Sequence, residues 1–501
     1  MKNLALWKKL LLSALSGILL TATMPGFDAP FLGWIALVPL LVVIVISPPK
    51  QHYVIALPFG LLFSLGVHNW YPDIFPPTLG YFLVFAVGTF YAGIFQLGGW
   101  LYTRLPNALK ILAFPVAWSA IEFVRFIAPV VENWWFVLLA KSMWRFLPAM
   151  QTLSVTGFPG LSFLVMLANT AIALLVLEGL KVEGLKVEKR ASIGALMLVA
   201  AILLWGTLSI SNSGSSRFTI ATLTDMMLQD PDIPGLIKAS EANERLNNPQ
   251  RSQDIFDIDE SMTREIIATG AKPDFIVWSE SKIASTDNRE IISQISALAQ
   301  EVDAYLVVNH DKVLENGKLR NIALMMGPDG EEVGQRAKIR LFGNAAEHGF
   351  EIGSRNFSVF ETPYGKVGLG ICYDYHFLDV ARGLARNGAQ ILLMPTDDDF
   401  NGNPNFPPFH ASDGVFRAAE HHVAMGLANT NGLALVIDPY GRITAEGEVN
   451  KRGFIIGETF TVEGQTLYTR FGDWFGWLMV LSLVGLVVVG VRGRSRKEDS
   501  D

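Results

Sequence analysis

Cys372 is the only cysteine among 501 residues. A lone thiol forms no internal disulfide and builds no cysteine metal cluster, so it is either a small buried apolar residue or a nucleophile. It ends the stretch Val367-Gly368-Leu369-Gly370-Ile371-Cys372, in which a run that reads as a buried strand passes through a glycine-punctuated turn. A nucleophile at that place needs a base and an oxyanion stabiliser elsewhere in the chain. Glu280 follows the strand-like Phe275-Ile276-Val277-Trp278; taken alone, a carboxylate there is more often a solvated turn residue than a base. Lys338 follows a Gly-Pro-Asp-Gly turn and a short extended run, where a lysine is ordinarily a surface charge. As a set the three have a chemical logic. A carboxylate with a raised pKa can take a thiol proton. A nearby ammonium stabilises the thiolate and then a tetrahedral oxyanion, with the backbone N–H of Tyr373 as a second donor. A thiolate attacking an ester or amide leaves a thioester.

The elements that must position these residues read as a layered α/β domain. Short apolar strands are expected at 218–223, 275–278, 305–309, 323–326, 367–371, 391–394, 423–427 and 434–437. Helical stretches intervene at 259–268, 291–302 and 378–387. Each candidate chemical residue then falls near a strand end, a common place for functional groups held on a rigid scaffold.

The remainder of the chain is membrane-like. Half of all residues are hydrophobic and 17% are charged, too apolar a balance for one soluble globule. Three domains are expected: a transmembrane bundle over 1–210, an α/β domain over 211–472, and a last transmembrane helix with a basic tail over 473–501. Eight apolar spans are read at 10–22, 31–46, 54–67, 79–101, 112–126, 153–177, 193–210 and 474–491. The first three are short for a hydrocarbon core that takes ~20 residues of helix. Basic residues gather on one side of this scheme: Lys2, Lys8 and Lys9, then Lys50, Arg104 and Lys110, Lys181 to Arg190, and Arg492 to Lys497. The positive-inside rule makes that side cytoplasmic, with both termini inside and the large domain outside. The opposite loops hold chiefly Lys141 and Arg145. A net charge of −7 argues against a nucleic-acid partner. The tandem 179–183 and 184–188 is a short local duplication, read as a cytoplasmic linker. Glu122 and Arg125 lie three residues apart in the fifth span, either as an ion pair that fixes helix packing or as a polar lining near a lipid headgroup. Trp134, Trp135 and Trp144 read as interfacial aromatics.

The order Glu280, Lys338, Cys372 resembles the Glu-Lys-Cys triad of the nitrilase, or carbon–nitrogen hydrolase, superfamily. With the membrane frame, nearly the whole chain is similar to the bacterial apolipoprotein N-acyltransferase family. Matching segments are Pro25-Gly26-Phe27 with Pro30-Phe31-Leu32-Gly33-Trp34, then Trp118, Glu122 and Arg125, then Gly160-Leu161-Ser162-Phe163-Leu164 with Asn169. In the α/β part they are Val277-Trp278-Ser279-Glu280, Gly370-Ile371-Cys372-Tyr373-Asp374, Asn429-Thr430-Asn431-Gly432 and Ile437-Asp438-Pro439-Tyr440-Gly441-Arg442. Tyr468-Thr469-Arg470-Phe471-Gly472-Asp473-Trp474 leads into the last helix and, with the topology, is the most specific signal. Three departures stand out: Ser279 in place of proline, Asn344 where the family has a supporting glutamate, with Glu347 the nearest substitute, and Thr396-Asp397-Asp398-Asp399-Phe400 in place of an Asn-Asp-aromatic segment.

The resemblance implies a nitrilase-like αββα sandwich joined to a multi-span membrane bundle. It implies that Cys372 takes an acyl chain from a phospholipid and passes it to the α-amine of a diacylglyceryl-cysteine at a lipoprotein N-terminus. Glu280 would be base and then acid, Lys338 and Tyr373 would hold the oxyanion, and Glu347 would orient Lys338 or Glu280. No metal or organic cofactor is implied. Two rival readings follow from the same residues: a membrane-tethered amidase with another acceptor, and an inactive lipid-binding paralogue.

Overall fold

The computed structural model describes residues 4–182, 189–226, 249–280, 283–285, 289–342, 349–399 and 402–498. The chain forms two compact units, one of Met1–Ile210 with Phe471–Asp501 and the other of Ser211–Arg470.

The first unit is an apolar helical bundle and makes this a membrane protein. Among the described residues four helices are long and apolar enough to cross a bilayer: Pro77–Arg104, Phe158–Gly179, Lys189–Ser209 and Trp474–Arg492. The other expected spans are shorter helices, Leu6–Thr21, His52–Val67 and Ala113–Ile127. The span read at 31–46 is broken into a 3₁₀ turn, Pro30–Trp34, and the eight-residue helix Val38–Val45. At 1.5 Å per residue that helix rises only ~12 Å, so it lies within the bundle and does not cross a bilayer alone.

Polar side chains inside this unit tie backbone that is not helical. Glu122 accepts from Trp118 Nε1 at 3.1 Å, from the Leu139 N–H at 2.7 Å and from the Ser162 hydroxyl. Arg125 donates to the Trp135 and Val137 carbonyls at 2.9 and 2.7 Å and lies over the Trp135 ring. Both hold the segment between Trp134 and Leu139, whose backbone groups would otherwise be unpaired in an apolar surround. Their role is structural, exercised through the backbone. Asn169 does the same for Gly33 O and the Leu37 N–H. Trp135 and Trp144 are buried inside this unit, so the expectation that they are interfacial does not hold; Trp144 Nε1 instead donates to Asp28 at 2.7 Å.

The second unit is the α/β sandwich. Its strands are β1 (Arg217–Thr224), β2 (Phe275–Val277), β3 (Ile283–Ser285), β4 (Tyr305–Val313), β5 (Leu319–Met326), β6 (Glu332–Ala337), β7 (Val359–Thr362), β8 (Gly365–Leu369), β9 (Ile391–Thr396), β10 (Ala424–Asn429), β11 (Leu435–Ile437), β12 (Ile443–Glu446) and β13 (Gly453–Phe460). β1 pairs with β13 along its whole length and with β2, but meets β10 only at Thr224–Asn429. That single junction divides the strands into two sheets, β6-β5-β4-β2-β1-β13 and β12-β11-β10-β9-β8-β7, with β3 beside β4.

Each sheet carries helices on its outer face. Pro249–Ala268 and Arg289–Val302 place Ile255, Phe256, Met262, Ile266, Ile295 and Leu298 in one core with Ile276, Leu306 and Val308. The first of these helices starts ten residues before its expected start at 259, because Ile255 and Phe256 extend the same apolar stripe. Leu378–Arg386 and Phe406–His421 cover the other sheet. The latter helix, which carries Pro407 and Pro408, is not among the helices expected from the sequence. Both prolines fall in its first turn, where backbone N–H groups have no helical partner to lose.

Candidate active site

The parallel strands β2, β8, β9 and β10 and the similarly directed β6 all end at one edge of the sandwich. The carboxyl ends of such strands are where α/β sheets gather ligands and chemistry. Here they deliver Glu280 after β2, Lys338 after β6, Cys372 after β8, Asp398 after β9 and Thr430 after β10.

Glu280 and Lys338 are both buried and directly paired, Lys338 Nζ donating to Glu280 Oε1 at 3.0 Å. Asn321, at the start of β5, donates to the same oxygen at 2.7 Å and is itself held to Asn309 on β4. The Glu280 N–H donates to Thr396 O, which fixes the end of β2 against the end of β9. Ser279, where the related family has proline, donates its hydroxyl to the buried Asp225 at the end of β1.

Cys372 opens a short 3₁₀ turn, 7% exposed, with φ +47°. A left-handed conformation at a residue with a Cβ costs ~1–3 kcal/mol and persists only where the surroundings impose it. Gly370 permits the approach to that turn, because a Cβ there would meet Met394 Sδ on β9 at 2.7 Å. Burial pushes the Cys372 thiol well above its usual range, and the Glu280 and Asp398 charges push the same way. Lys338 and a contact from Sγ to the Asp397 carbonyl at 3.5 Å oppose that shift. The resting group is therefore a thiol, within electrostatic reach of both Glu280 and Lys338. Tyr373 follows in the chain, its ring packed between Phe342 and Phe377.

Asp374 clasps the two loops that carry Lys338 and Cys372. Its Oδ1 accepts the Ile339 and Arg340 N–H groups at 3.0 and 2.8 Å, and its Oδ2 accepts the Ile371 N–H at 3.1 Å. Burial raises its carboxyl to about 6 against the pull of those donors and of Arg336 and Lys338. Its positioning part is missed by sequence reasoning, although its place two residues after the thiol could have drawn attention to it.

The Asp397–Asp399 turn is held by the end of β10. Asn429 donates to Asp398 at 2.7 Å, Thr430 to Asp397 at 2.7 Å and Asn431 to Asp399 at 3.0 Å. Gly432 closes this clasp, since a Cβ would meet Asn429 Nδ2 at 2.4 Å. His410 Nδ1 lies 2.6 Å from Asp398 Oδ1, from the helix Phe406–His421. Cys372 Sγ, an Asp398 oxygen and a His410 ring nitrogen lie within 4.8 Å of one another. His410 escapes sequence reasoning because its helix does. Glu347, Asn344 and Phe400 lie outside the described residues.

This geometry puts a buried Glu280–Lys338 ion pair within electrostatic reach of a thiol in a left-handed turn. Residues 264–461 match the carbon-nitrogen hydrolase family, and residues 16–171 match the apolipoprotein N-acyltransferase N-terminal domain. A curated relative named apolipoprotein N-acyltransferase, from Geobacter metallireducens, is 26% identical over 519 aligned positions, covering 97% of this chain and 96% of that protein. Its namesake from Thermotoga maritima is 25% identical over 514, covering 97% and 94%. An omega-amidase NIT2 from Xenopus tropicalis is 38% identical over a shorter stretch of 113, which is 21% of this chain and 41% of the amidase.

Proposed function

The chain belongs to the apolipoprotein N-acyltransferases within the carbon–nitrogen hydrolase superfamily, and from that membership we propose that it moves an acyl chain from a phospholipid to a lipoprotein N-terminus through Cys372. In the first step Glu280 takes the thiol proton as sulfur attacks the donor ester. The ester C–O bond breaks, Glu280 returns the proton to the departing lysophospholipid oxygen, and a thioester remains on Cys372. In the second, the α-amine of a diacylglyceryl-cysteine attacks the thioester carbonyl. The C–S bond breaks and the thiolate recovers a proton by way of Glu280. Lys338 and the Tyr373 N–H hold the oxyanion in both. The observation that carries this reading is the buried Lys338–Glu280 pair at 3.0 Å, within electrostatic reach of the only thiol.

Both substrates are lipids confined to a bilayer, and the same chain supplies its own membrane helices. The catalytic unit lies outside the cytoplasmic membrane and both termini lie inside.

Mass spectrometry of the protein incubated with phospholipid alone tests the proposal. A fatty-acyl adduct on Cys372, absent from Cys372→Ala and discharged by a diacylglyceryl-cysteine peptide, is the expected result. Two-substrate kinetics are then ping-pong, with parallel double-reciprocal lines. Intersecting lines, with transfer surviving in Cys372→Ala, would mean direct attack of acceptor on donor and would end the covalent scheme. Discharge by water and small amines but not by the peptide would favour a membrane-tethered amidase.

A further inference from the structure

Acyl transfer to an α-amine releases more protons than the Glu280–Lys338 pair can absorb. The acceptor's α-amino group is largely an ammonium at neutral pH. The product amide keeps one of its three protons, and the departing Cys372 sulfur takes one back through Glu280. A third proton remains. Without a second base to receive it, attack waits on the minor fraction of acceptor that is already the free amine.

Beside the thiol lies a group of the right kind. With a carboxylate oxygen as acceptor, the His410 Nδ1 at 2.6 Å from Asp398 Oδ1 is the donor, which leaves Nε2 as the ring's other nitrogen. Asn429 donates to the other Asp398 oxygen at 2.7 Å, which fixes the carboxylate. The Tyr375 ring stacks on the imidazole with centroids 4.2 Å apart and planes 12° apart, which fixes its orientation. A His410 ring nitrogen and an Asp398 oxygen lie within 4.8 Å of Cys372 Sγ, the range in which a nucleophile attacking a thioester on that sulfur must stand. A carboxylate holding an imidazole in one tautomer beside a nucleophilic centre is the arrangement that makes histidine a base and stabilises the imidazolium it becomes.

We propose that His410, oriented by Asp398, removes a proton from the acceptor's α-ammonium in the second half-reaction. The proton passes from nitrogen to the His410 imidazole, the freed amine attacks the thioester, and the imidazolium returns its proton to solvent. Asp398 acts through His410 and is a positioning residue. The inference rests on the acyl-transfer reading above.

The test separates the half-reactions in the full-length protein. Phospholipid alone gives a burst of lysophospholipid that reports the first. Two nucleophiles then discharge the acyl-enzyme: a diacylglyceryl-cysteine peptide, which arrives as an ammonium, and hydroxylamine, which is neutral. His410→Asn keeps an N–H toward Asp398 and has no base. Its burst forms, its discharge by the peptide falls by about 10²–10⁴, the range for a general base, and its discharge by hydroxylamine is unchanged. Asp398→Asn gives the same split. Equal slowing toward both nucleophiles, or a lost burst in His410→Asn when the unaltered protein gives one, means that the pair only holds the site together, and overturns the inference. Absence of a burst in the unaltered protein overturns the acyl-transfer reading and the inference with it.

Discussion

A thiol that burial keeps protonated reacts only when something near it removes the proton or pays for the charge. Cys372 has both kinds of neighbour, and they act on it in opposite directions: Glu280 raises its pKa and Lys338 lowers it, on top of the larger effect of burial. Alkylation of Cys372 by iodoacetamide should therefore be slow at pH 7, where the neutral thiol dominates, and should climb with pH well beyond the range of a free cysteine. In Glu280→Gln the opposing carboxylate is gone and the Lys338 ammonium faces the thiol alone. Alkylation at pH 8 should become several-fold faster, while acyl transfer falls by about 10²–10⁴ for want of a base. Lys338→Met should slow both, transfer by about 10²–10³, the scale for losing one oxyanion donor. A Glu280→Gln protein that alkylates more slowly than the native one would show that the carboxylate, not the ammonium, governs the thiolate. These residue types were legible in the sequence because each follows a recognisable strand. Asp374, Asp398 and His410 were not, because their importance lies in which backbone N–H groups and which ring they meet.

At the scale of elements the site depends on loops being tied to one another after their strands end, and Asp374 is the tie between the Lys338 and Cys372 loops. Asp374→Ala would leave two buried N–H groups, of Ile339 and Ile371, and the part-buried one of Arg340 without their acceptor, at about 1–3 kcal/mol for each buried one. It should melt at a visibly lower temperature and lose transfer even though no reacting atom is touched. The carboxyl's pH dependence can be assigned a sign. Its folded pKa, about 6, lies above the usual aspartate value. On raising pH, the unfolded chain therefore loses this proton first, and the folded protein binds more protons between about pH 4 and pH 6. The contribution of this group to stability falls across that window and is constant above it. The advantage of the native protein over Asp374→Asn in denaturant titrations should accordingly shrink from pH 4 to pH 6. An advantage that grows would mean that the three N–H donors outweigh burial. The strands and helices themselves were largely readable. β1, β2, β4, β5, β8, β9, β10 and β11 each contain or overlap an expected apolar run, because strands buried on both faces are continuous in their hydrophobicity. β12 and β13 were not expected, since polar or glycine residues such as Thr444, Glu446, Gly457 and Glu458 interrupt them, and β13 finds its partner β1 at the far end of the domain sequence.

For the whole molecule, the asymmetry of its basic residues predicts which side of the membrane each unit faces. The basic residues at the N-terminus, around Lys189 and Arg190, and after the last helix would share one side, and their number favours the cytoplasm. The two basic residues on the other side do little to offset this. Lys141 is fully buried, and Arg145 is paired with Asp28 at 3.1 Å and lies over the Trp144 ring at 4.0 Å. In the folded protein neither presents a bare cation to a lipid headgroup. Because Cys372 is the only native thiol, Cys372→Ala gives a cysteine-free background in which single reporters can be placed at exposed positions. Lys272→Cys, on the sandwich, and Lys189→Cys, at the start of an apolar helix, are both solvent-exposed sites. A membrane-impermeant maleimide added to spheroplasts should label Lys272→Cys at once and Lys189→Cys only after the membrane is opened with detergent. The reverse pattern would place the sandwich in the cytoplasm, away from any acceptor whose N-terminus has crossed the membrane, and the lipoprotein would have to be abandoned as the substrate.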